Sequence, residues 1–264
     1  MESIVDPITD ASPGEIPLDP SPLVRVLTQV RFPMVAAIGK QDFVGPFQEA
    51  IRKEYPVLRP EQAQKIQLSP EAAPLVQTQT VWRFSDVKSQ WRVSLAPDFL
   101  ALETTTYASR SDFIRRLKIV VGALEEHVAP ALVDRLGIRF VNRIKGNEVN
   151  DIAKLMRPEI CGIVGVLSDR HMKHVLNEGL FRIDKNQLLA RWGILPPQMT
   201  IDPTAIEPIE ERSWILDLDM FTTEAFEFNT DRIVNDVRSF SERIYTFFRW
   251  AVTDEFMRRK EGKV

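Results

Sequence analysis

The feature that most constrains the fold is an alternation of apolar and polar residues in several short segments. In the first of them, residues 22–32, Val26 and Val30 fall on one side, and Arg25 and Arg31 fall on the other. The pattern returns at 80–85, 90–95, 99–107 and 134–144. A period of two residues is typical of strands with one buried face and one polar face. The sequence therefore predicts an antiparallel sheet packed on a core through one face.

Two segments instead carry apolar residues at helical spacing. Residues 111–127 form an apolar stripe behind Ser111, the predicted N-cap, and a second stripe over 233–248 follows Asn229 or Thr230. Further strands are predicted at 175–183, 188–195 and 214–221. A strand ladder followed by a long helix thus occurs twice. This predicts an α+β fold of two similar halves, each an antiparallel sheet packed on a long amphipathic helix.

Proline and composition set the predicted boundaries. Residues 1–21 hold four prolines among acidic and small residues, a composition that predicts a disordered tail. The first half is predicted over 22–146 and the second over 147–264, joined in one compact unit. Proline-rich stretches at 56–75 and 196–208 predict long loops.

The composition excludes several classes of protein. With 264 residues, 44% of them hydrophobic and 27% charged, the chain is neither collagen-like nor disordered. Its single thiol, Cys161, cannot form an internal disulfide, which favours the cytoplasm. The chain lacks an apolar run of about 20 residues, so we expect no membrane span. A net charge of −3 supplies no overall field that would attract nucleic acid.

The positive signal for function lies on the polar side of the predicted strands. Six arginines avoid the apolar side and are the candidate binding residues: Arg25, Arg31, Arg83, Arg92, Arg139 and Arg143. Arg182 and Arg191 share this phase in the second half. Guanidinium groups on a rigid sheet suit a protein partner, and an anionic ligand or nucleic acid is a further option. The alternative is a solvated face on which acids such as Glu103 neutralise the arginines without a function.

Asp217 and Asp219 offer a different chemistry. They lie two residues apart in a predicted strand, so their carboxylates project from the same face with attachment points about 6–7 Å apart. Such a pair could bind Mg²⁺ in a metal-dependent hydrolase or nuclease-like enzyme. The competing interpretation is that both carboxylates pair with arginines on neighbouring strands.

The other candidate metal ligands are few. His171, His174 and Cys161 have a spacing, C-x9-H-x2-H, that matches no established zinc pattern. The sequence also lacks a Gly-rich phosphate loop, a G-x-S-x-G elbow, H-E-x-x-H and C-x-x-C. We therefore expect no cofactor and no metal, and a non-catalytic binding protein is favoured over an enzyme.

Four segments in a defined order resemble a known family. They are PLVRVLTQVRF (22–32), RLGIRFVNRI (135–144), LDLDMF (216–221) and VTDEF (252–256). Together they resemble a sporadically distributed bacterial family of uncharacterised proteins of similar length. The resemblance implies no catalytic residue and no cofactor. The patchy distribution of that family implies a part in a bacterial defence or toxin–antitoxin type system.

Overall fold

A computed structural model describes residues 4–69, 72–167 and 172–261. The strands are β1 (Leu23–Arg31), β2 (Val57–Ser69), β3 (Ala72–Ser85), β4 (Trp91–Ala96), β5 (Phe99–Thr104), β6 (Leu132–Val133), β7 (Arg135–Lys145), β8 (Val175–Ile183), β9 (Asn186–Leu195), β10 (Ser213–Thr222) and β11 (Phe226–Glu227). The helices are α1 (Gln41–Ile51), α2 (Arg110–His127), α3 (Ile152–Leu155), α4 (Pro158–Cys161), α5 (Thr230–Ala251) and α6 (Asp254–Lys260).

Nine of these strands form one antiparallel sheet. Their order is β2-β3-β4-β5-β1-β7-β10-β9-β8, and β6 and β11 form a separate pair. The prediction of helices combined with an antiparallel sheet is confirmed. The strands of both predicted halves lie in this single sheet, and β1 pairs with β7 near its middle.

Helices α1, α2 and α5 pack together on one face of the sheet. The main core joins Val26, Ile138 and Leu218 of neighbouring strands to Ile233 and Phe247 of α5. Because consecutive residues of a strand point to opposite faces, every second strand residue lies on the face away from these helices. In the part of the chain that the structure describes, no helix is both long enough and apolar enough to cross a membrane.

Side-chain caps determine where the two long helices begin. Asn229, one of the two predicted caps, accepts a hydrogen bond from the Arg232 N–H at 2.8 Å and starts α5. For α2 the predicted cap is wrong by two residues, because Ser109 accepts from the Asp112 N–H at 3.2 Å. Ser109 has the extended backbone of an N-cap, whereas Ser111 already lies in the first helical turn.

The prediction of a long loop over 56–75 is wrong. Strands β2 and β3 form an antiparallel hairpin across this stretch. Pro60 lies in β2, which is the edge strand of the sheet and pairs with β3 alone. An edge strand tolerates proline because one side of it needs no backbone donor. The second predicted loop is confirmed, since residues 196–212 connect β9 to β10 without a helix or strand.

Residues 4–21, for which a disordered tail is predicted, lie against helix α5 in the structure. Ser12 Oγ donates to the carbonyl of Glu242 at 3.1 Å, and Arg243 donates to the carbonyls of Pro7 and Asp10. Ile16 packs, partly buried, on the main core. Contacts with α5 hold the segment in place, and the composition of the segment alone does not predict these contacts.

Candidate functional site

The six predicted arginines all lie on the sheet face opposite the helices, which we call the open face. Arg31 is paired with Arg135 across β1 and β7, and Arg139 is paired with Leu27. Arg92 is paired with Glu103 across β4 and β5. The residues that alternate with these arginines, such as those of β7 in the main core, are buried under the helices. The predicted phase of these strands is confirmed.

Sequence reasoning misses Arg59, a further arginine of the open face. It lies in β2 and is paired with Arg83 of β3. The residues of 58–61 do alternate in the structure, with Leu58 packed against the main core and Arg59 exposed. This alternation is too short to predict a strand because Pro60 interrupts it.

The loop 196–212 covers part of the open face. Beneath it lies a second apolar cluster, in which Val141, Leu195 and Ile215 of the sheet contact Ala205 and Ile206 of the loop. All five side chains are buried. This end of the open face is therefore a second core and not a free surface.

Arg139 connects this loop to the sheet. Its Nε and Nη2 donate to the two carboxylate oxygens of Asp217 at 2.7 and 2.8 Å, and its Nη1 donates to Asp202 of the loop at 2.6 Å. Burial alone would raise the pKa of Asp202, but hydrogen bonds from Thr204 and Arg139 outweigh it and lower this pKa to about 2. All three of these Arg139 donors therefore bind carboxylates that belong to the protein itself.

Arg25 lies at the margin of the covered area. Its Nη1 donates to the carbonyl of Thr204 at 2.8 Å and lies 3.5 Å from a carboxylate oxygen of Glu103. Its Nη2 lies 3.7 Å from Glu207, a loop residue whose side chain is 81% exposed. Arg25 therefore contacts both the loop and the uncovered part of the open face.

Asp217 and Asp219 share the open face, as predicted. The side chain of Asp217 is 2% exposed and is held by Arg139, and Asp219 accepts from Arg135 Nη2 at 3.1 Å. Burial raises the pKa of Asp219, and Arg135 opposes that shift. Both carboxylates pair with arginines on a neighbouring strand. Over residues 4–69, 72–167 and 172–261, no three His, Cys, Asp or Glu side chains are grouped as they would be around a metal ion.

The candidate thiol ligand, Cys161, also lies apart from this face, in the main core. His171 lies outside the described residues. Cys161 is buried at the end of α4, where its thiol lies 3.5 Å from the carbonyl of Ile152, and burial raises the pKa of Cys161 to about 11. A buried thiol with a raised pKa is a poor nucleophile and a poor metal ligand at neutral pH.

A depression of about 290 Å³ lies on the uncovered part of the open face, and we call it the arginine depression. Four arginines line it, namely Arg25, Arg59, Arg83 and Arg92. Three carboxylates line it as well, namely Glu61, Glu103 and Glu207. Strands β1 to β5 supply all of these residues except Glu207, so the depression has rigid walls.

The carboxylates of the arginine depression do not neutralise all of its guanidinium groups. Glu103 forms ion pairs with both Arg25 and Arg92, so one acid serves two arginines. Arg83 pairs with Glu61 at 3.0 Å. Arg59 is exposed and forms no ion pair with any described residue.

The chain matches no family model and no curated protein. Its function is therefore inferred from the geometry of the open face.

The remaining predicted arginines lie outside the depression. Nε and Nη2 of Arg143 are buried and form no hydrogen bond with any described residue. Burial lowers the pKa of Arg143, and the negative charge of Glu207 opposes this shift. Arg31 is exposed and donates to Gln29 at 3.0 Å. The structure thus brings Arg25, Arg83 and Arg92 together with Arg59, and it leaves Arg31, Arg139 and Arg143 elsewhere on the same face.

Proposed function

We propose that the protein is a non-catalytic binding protein that holds an anionic group in the arginine depression. The observation that carries this proposal is the convergence of four guanidinium groups on one depression with three carboxylates. The strands hold these arginines at fixed positions, so their excess of positive charge provides a site for an anion. Guanidinium groups suit carboxylates and phosphates because they donate two parallel hydrogen bonds.

The geometry supports different roles for different arginines. Arg139 binds two carboxylates beneath the loop, so it stabilises the fold. Arg59 has no carboxylate partner among the residues that the structure describes, and the Arg92 side chain is 41% exposed beside a carboxylate that it shares. Glu207 is mostly exposed and lies 3.7 Å from Arg25, so an incoming anion can replace it at small cost. We therefore assign the contact with the anion to Arg59 and Arg92, with Arg25 and Arg83 behind them.

The anionic group belongs either to a small ligand or to an acidic segment of a protein partner. A depression of about 290 Å³ accommodates one or two phosphate or carboxylate groups and is too small to follow a nucleic-acid backbone over several turns. The family resemblance favours a protein partner from a defence or toxin–antitoxin type system. If the ligand is a nucleic acid instead, its binding should weaken steeply as salt is added.

Capture from the native host tests this proposal. The wild type is compared with Arg59→Glu and with the matched control Arg182→Glu, which reverses an exposed arginine of β8 on the same face, remote from the depression. We expect one partner or ligand to be retained by the wild type and by Arg182→Glu and to be lost with Arg59→Glu. Equal recovery with all three proteins would contradict the proposal. Mass spectrometry and nuclease treatment identify the source of the anion.

We also propose that the chain consists of two similar halves that meet between β1 and β7. In the sheet order, β1 is followed outwards by β5, β4, β3 and the edge strand β2, and β7 is followed outwards by β10, β9 and β8. Each series begins with a central strand, continues with the strand of its half that comes last in this nine-stranded sheet, and then runs back along the chain, although the first series has one strand more. This order supports a boundary before β7, earlier than the boundary between residues 146 and 147 that composition predicts.

A further inference from the structure

A second cavity, independent of the arginine depression, lies on the opposite face of the sheet. It has a volume of about 260 Å³ and is formed by β7, α5, the residues before α2 and the segment 15–18. Phe140 and Asn142 of β7 line it, and these alternate along the strand with Arg139 and Arg143 of the open face. A ligand in this cavity would therefore not touch the arginine depression.

The walls of this cavity are mainly apolar. Phe140, Ile244 and Phe248 form the inner wall, and Leu23 closes one side. Ile244 is fully buried, and Phe140 and Phe248 are each 7% exposed. A water molecule in such a space finds few hydrogen-bond partners, whereas an apolar molecule gains contact with every wall.

One buried polar side chain interrupts the apolar lining. Asn142 is 5% exposed, and its Nδ2 donates to the carbonyl of Leu216 at 3.3 Å. Since Leu216 supplies an acceptor, this bond fixes Nδ2 as the donor and leaves Oδ1 as an acceptor. Within the described residues, Oδ1 accepts no hydrogen bond. Oδ1 keeps some accessible surface, and an accessible acceptor in a mainly apolar lining suits a ligand that carries a donor.

The charge at the rim restricts the ligand further. Among the described residues, Glu15 is the one charged residue that lines the cavity. Its two carboxylate oxygens accept hydrogen bonds from the Tyr107 hydroxyl and from the Arg110 N–H, each at 3.1 Å. The carboxylate is thus already paired with the protein and would repel an anion. An uncharged ligand fits this rim best.

The segment that carries Glu15 also closes the cavity. The Ile16 N–H donates to the Tyr245 hydroxyl at 2.9 Å, and that hydroxyl lies 3.3 Å from the carbonyl of Gly14 and donates to it. Tyr107 and Tyr245, which hold the segment, are themselves lining residues. The cavity is therefore completed by the N-terminal segment.

We propose that this cavity binds an uncharged, largely apolar molecule of bicyclic size that donates one hydrogen bond to Asn142 Oδ1. The volume sets the size, because an apolar cavity of about 150 Å³ accommodates a benzene molecule. The Glu15 carboxylate at the rim disfavours the anions proposed for the open face. The two sites thus take ligands of different chemistry.

An NMR titration with two probes of the same shape tests this site. Indole carries an N–H donor, and benzothiophene has a similar shape without one. We expect both to shift the amide resonances around the cavity, and indole to bind about five- to tenfold more tightly, as one added hydrogen bond would give. In Asn142→Leu the two probes should bind with equal affinity. Failure of the wild type to bind either probe would overturn the proposal, as would an unchanged preference in Asn142→Leu.

A filling variant keeps the test valid if Asn142→Leu does not fold. Ala108 lines the rim of the cavity and is exposed, so Ala108→Trp should fill the space without disturbing the core. Ala131→Trp places the same side chain at an exposed alanine that does not line the cavity. Binding of indole should be lost in the first variant and kept in the second. Equal binding by both variants would place the ligand elsewhere. Loss of anion binding on the open face leaves this result unaffected, since both probes are uncharged.

Discussion

Arg139 donates one hydrogen bond to each carboxylate oxygen of Asp217, at 2.7 and 2.8 Å, across the neighbouring strands β7 and β10. The side chains are 13% and 2% exposed, so the pair is buried on what would otherwise be the polar face of a sheet. The third contact of Arg139, with Asp202, connects this pair to the loop that covers it. One part of the open face is thereby closed, and the arginine depression beside it stays open.

Removal of Arg139 should destabilise the protein strongly. In Arg139→Met the buried carboxylate of Asp217 loses its partner, and such a loss costs about 3–5 kcal/mol. The free energy of unfolding in urea measures the effect. The double variant Arg139→Met/Asp217→Leu removes both charges and should recover most of the stability. A change below about 0.5 kcal/mol in the single variant would contradict the structural role of Arg139.

The protein should become less stable as the pH is lowered, because Asp202 becomes protonated. Its pKa is lowered from an ordinary 3.8 to about 2 in the folded protein. A lowered carboxyl pKa stabilises the fold fully above the unfolded pKa, and this contribution is lost as the pH falls through the folded pKa. The difference in unfolding free energy between the wild type and Asp202→Asn should therefore be constant above about pH 4 and shrink towards pH 2. A difference that does not vary with pH over this range would contradict the assigned ion pair.

Gly193 should tolerate no side chain. Its φ is +152°, and a Cβ at this position would lie 1.9 Å from the carbonyl oxygen of Val175 in β8. Since the contact is with backbone, Gly193→Ala should destabilise the protein by about 2–3 kcal/mol, measured by chemical unfolding. Gly39→Ala is the control, because a Cβ there meets no atom within 4 Å. Equal stability of the two variants would show that β8 does not pair with β9 in this register.

The sequence predicts the open face well wherever the alternation is long. Over 134–144, period-two spacing places Arg139 and Arg143 together, and the same reasoning places Asp217 and Asp219 on one face. These predictions succeed because a strand with one buried face needs every second residue to be apolar, a local condition. The partners of these residues are not local. Asp202 lies 63 residues from Arg139, and no spacing rule connects a loop to a strand at that distance.

Two other features escape the sequence for related reasons. Arg59 lies in a stretch where the prolines indicate a loop, but at the edge of the sheet a strand can contain them. The composition of residues 4–21 predicts disorder because the segment cannot form a core by itself. In the structure, Ile16 packs on the main core that other segments form. In both cases the tertiary environment, and not local preference, determines the structure.

Calorimetric titration with inorganic pyrophosphate at low salt tests the binding function most directly. The wild type should bind it saturably and more weakly as salt is added. Arg59→Glu should weaken binding at least about tenfold without loss of stability, since Arg59 is exposed and forms no ion pair within the described part of the chain. Arg182→Glu, on the same face, should bind like the wild type. Equal binding by the wild type and Arg59→Glu, or equal weakening by both variants, would contradict a specific anion site in the arginine depression.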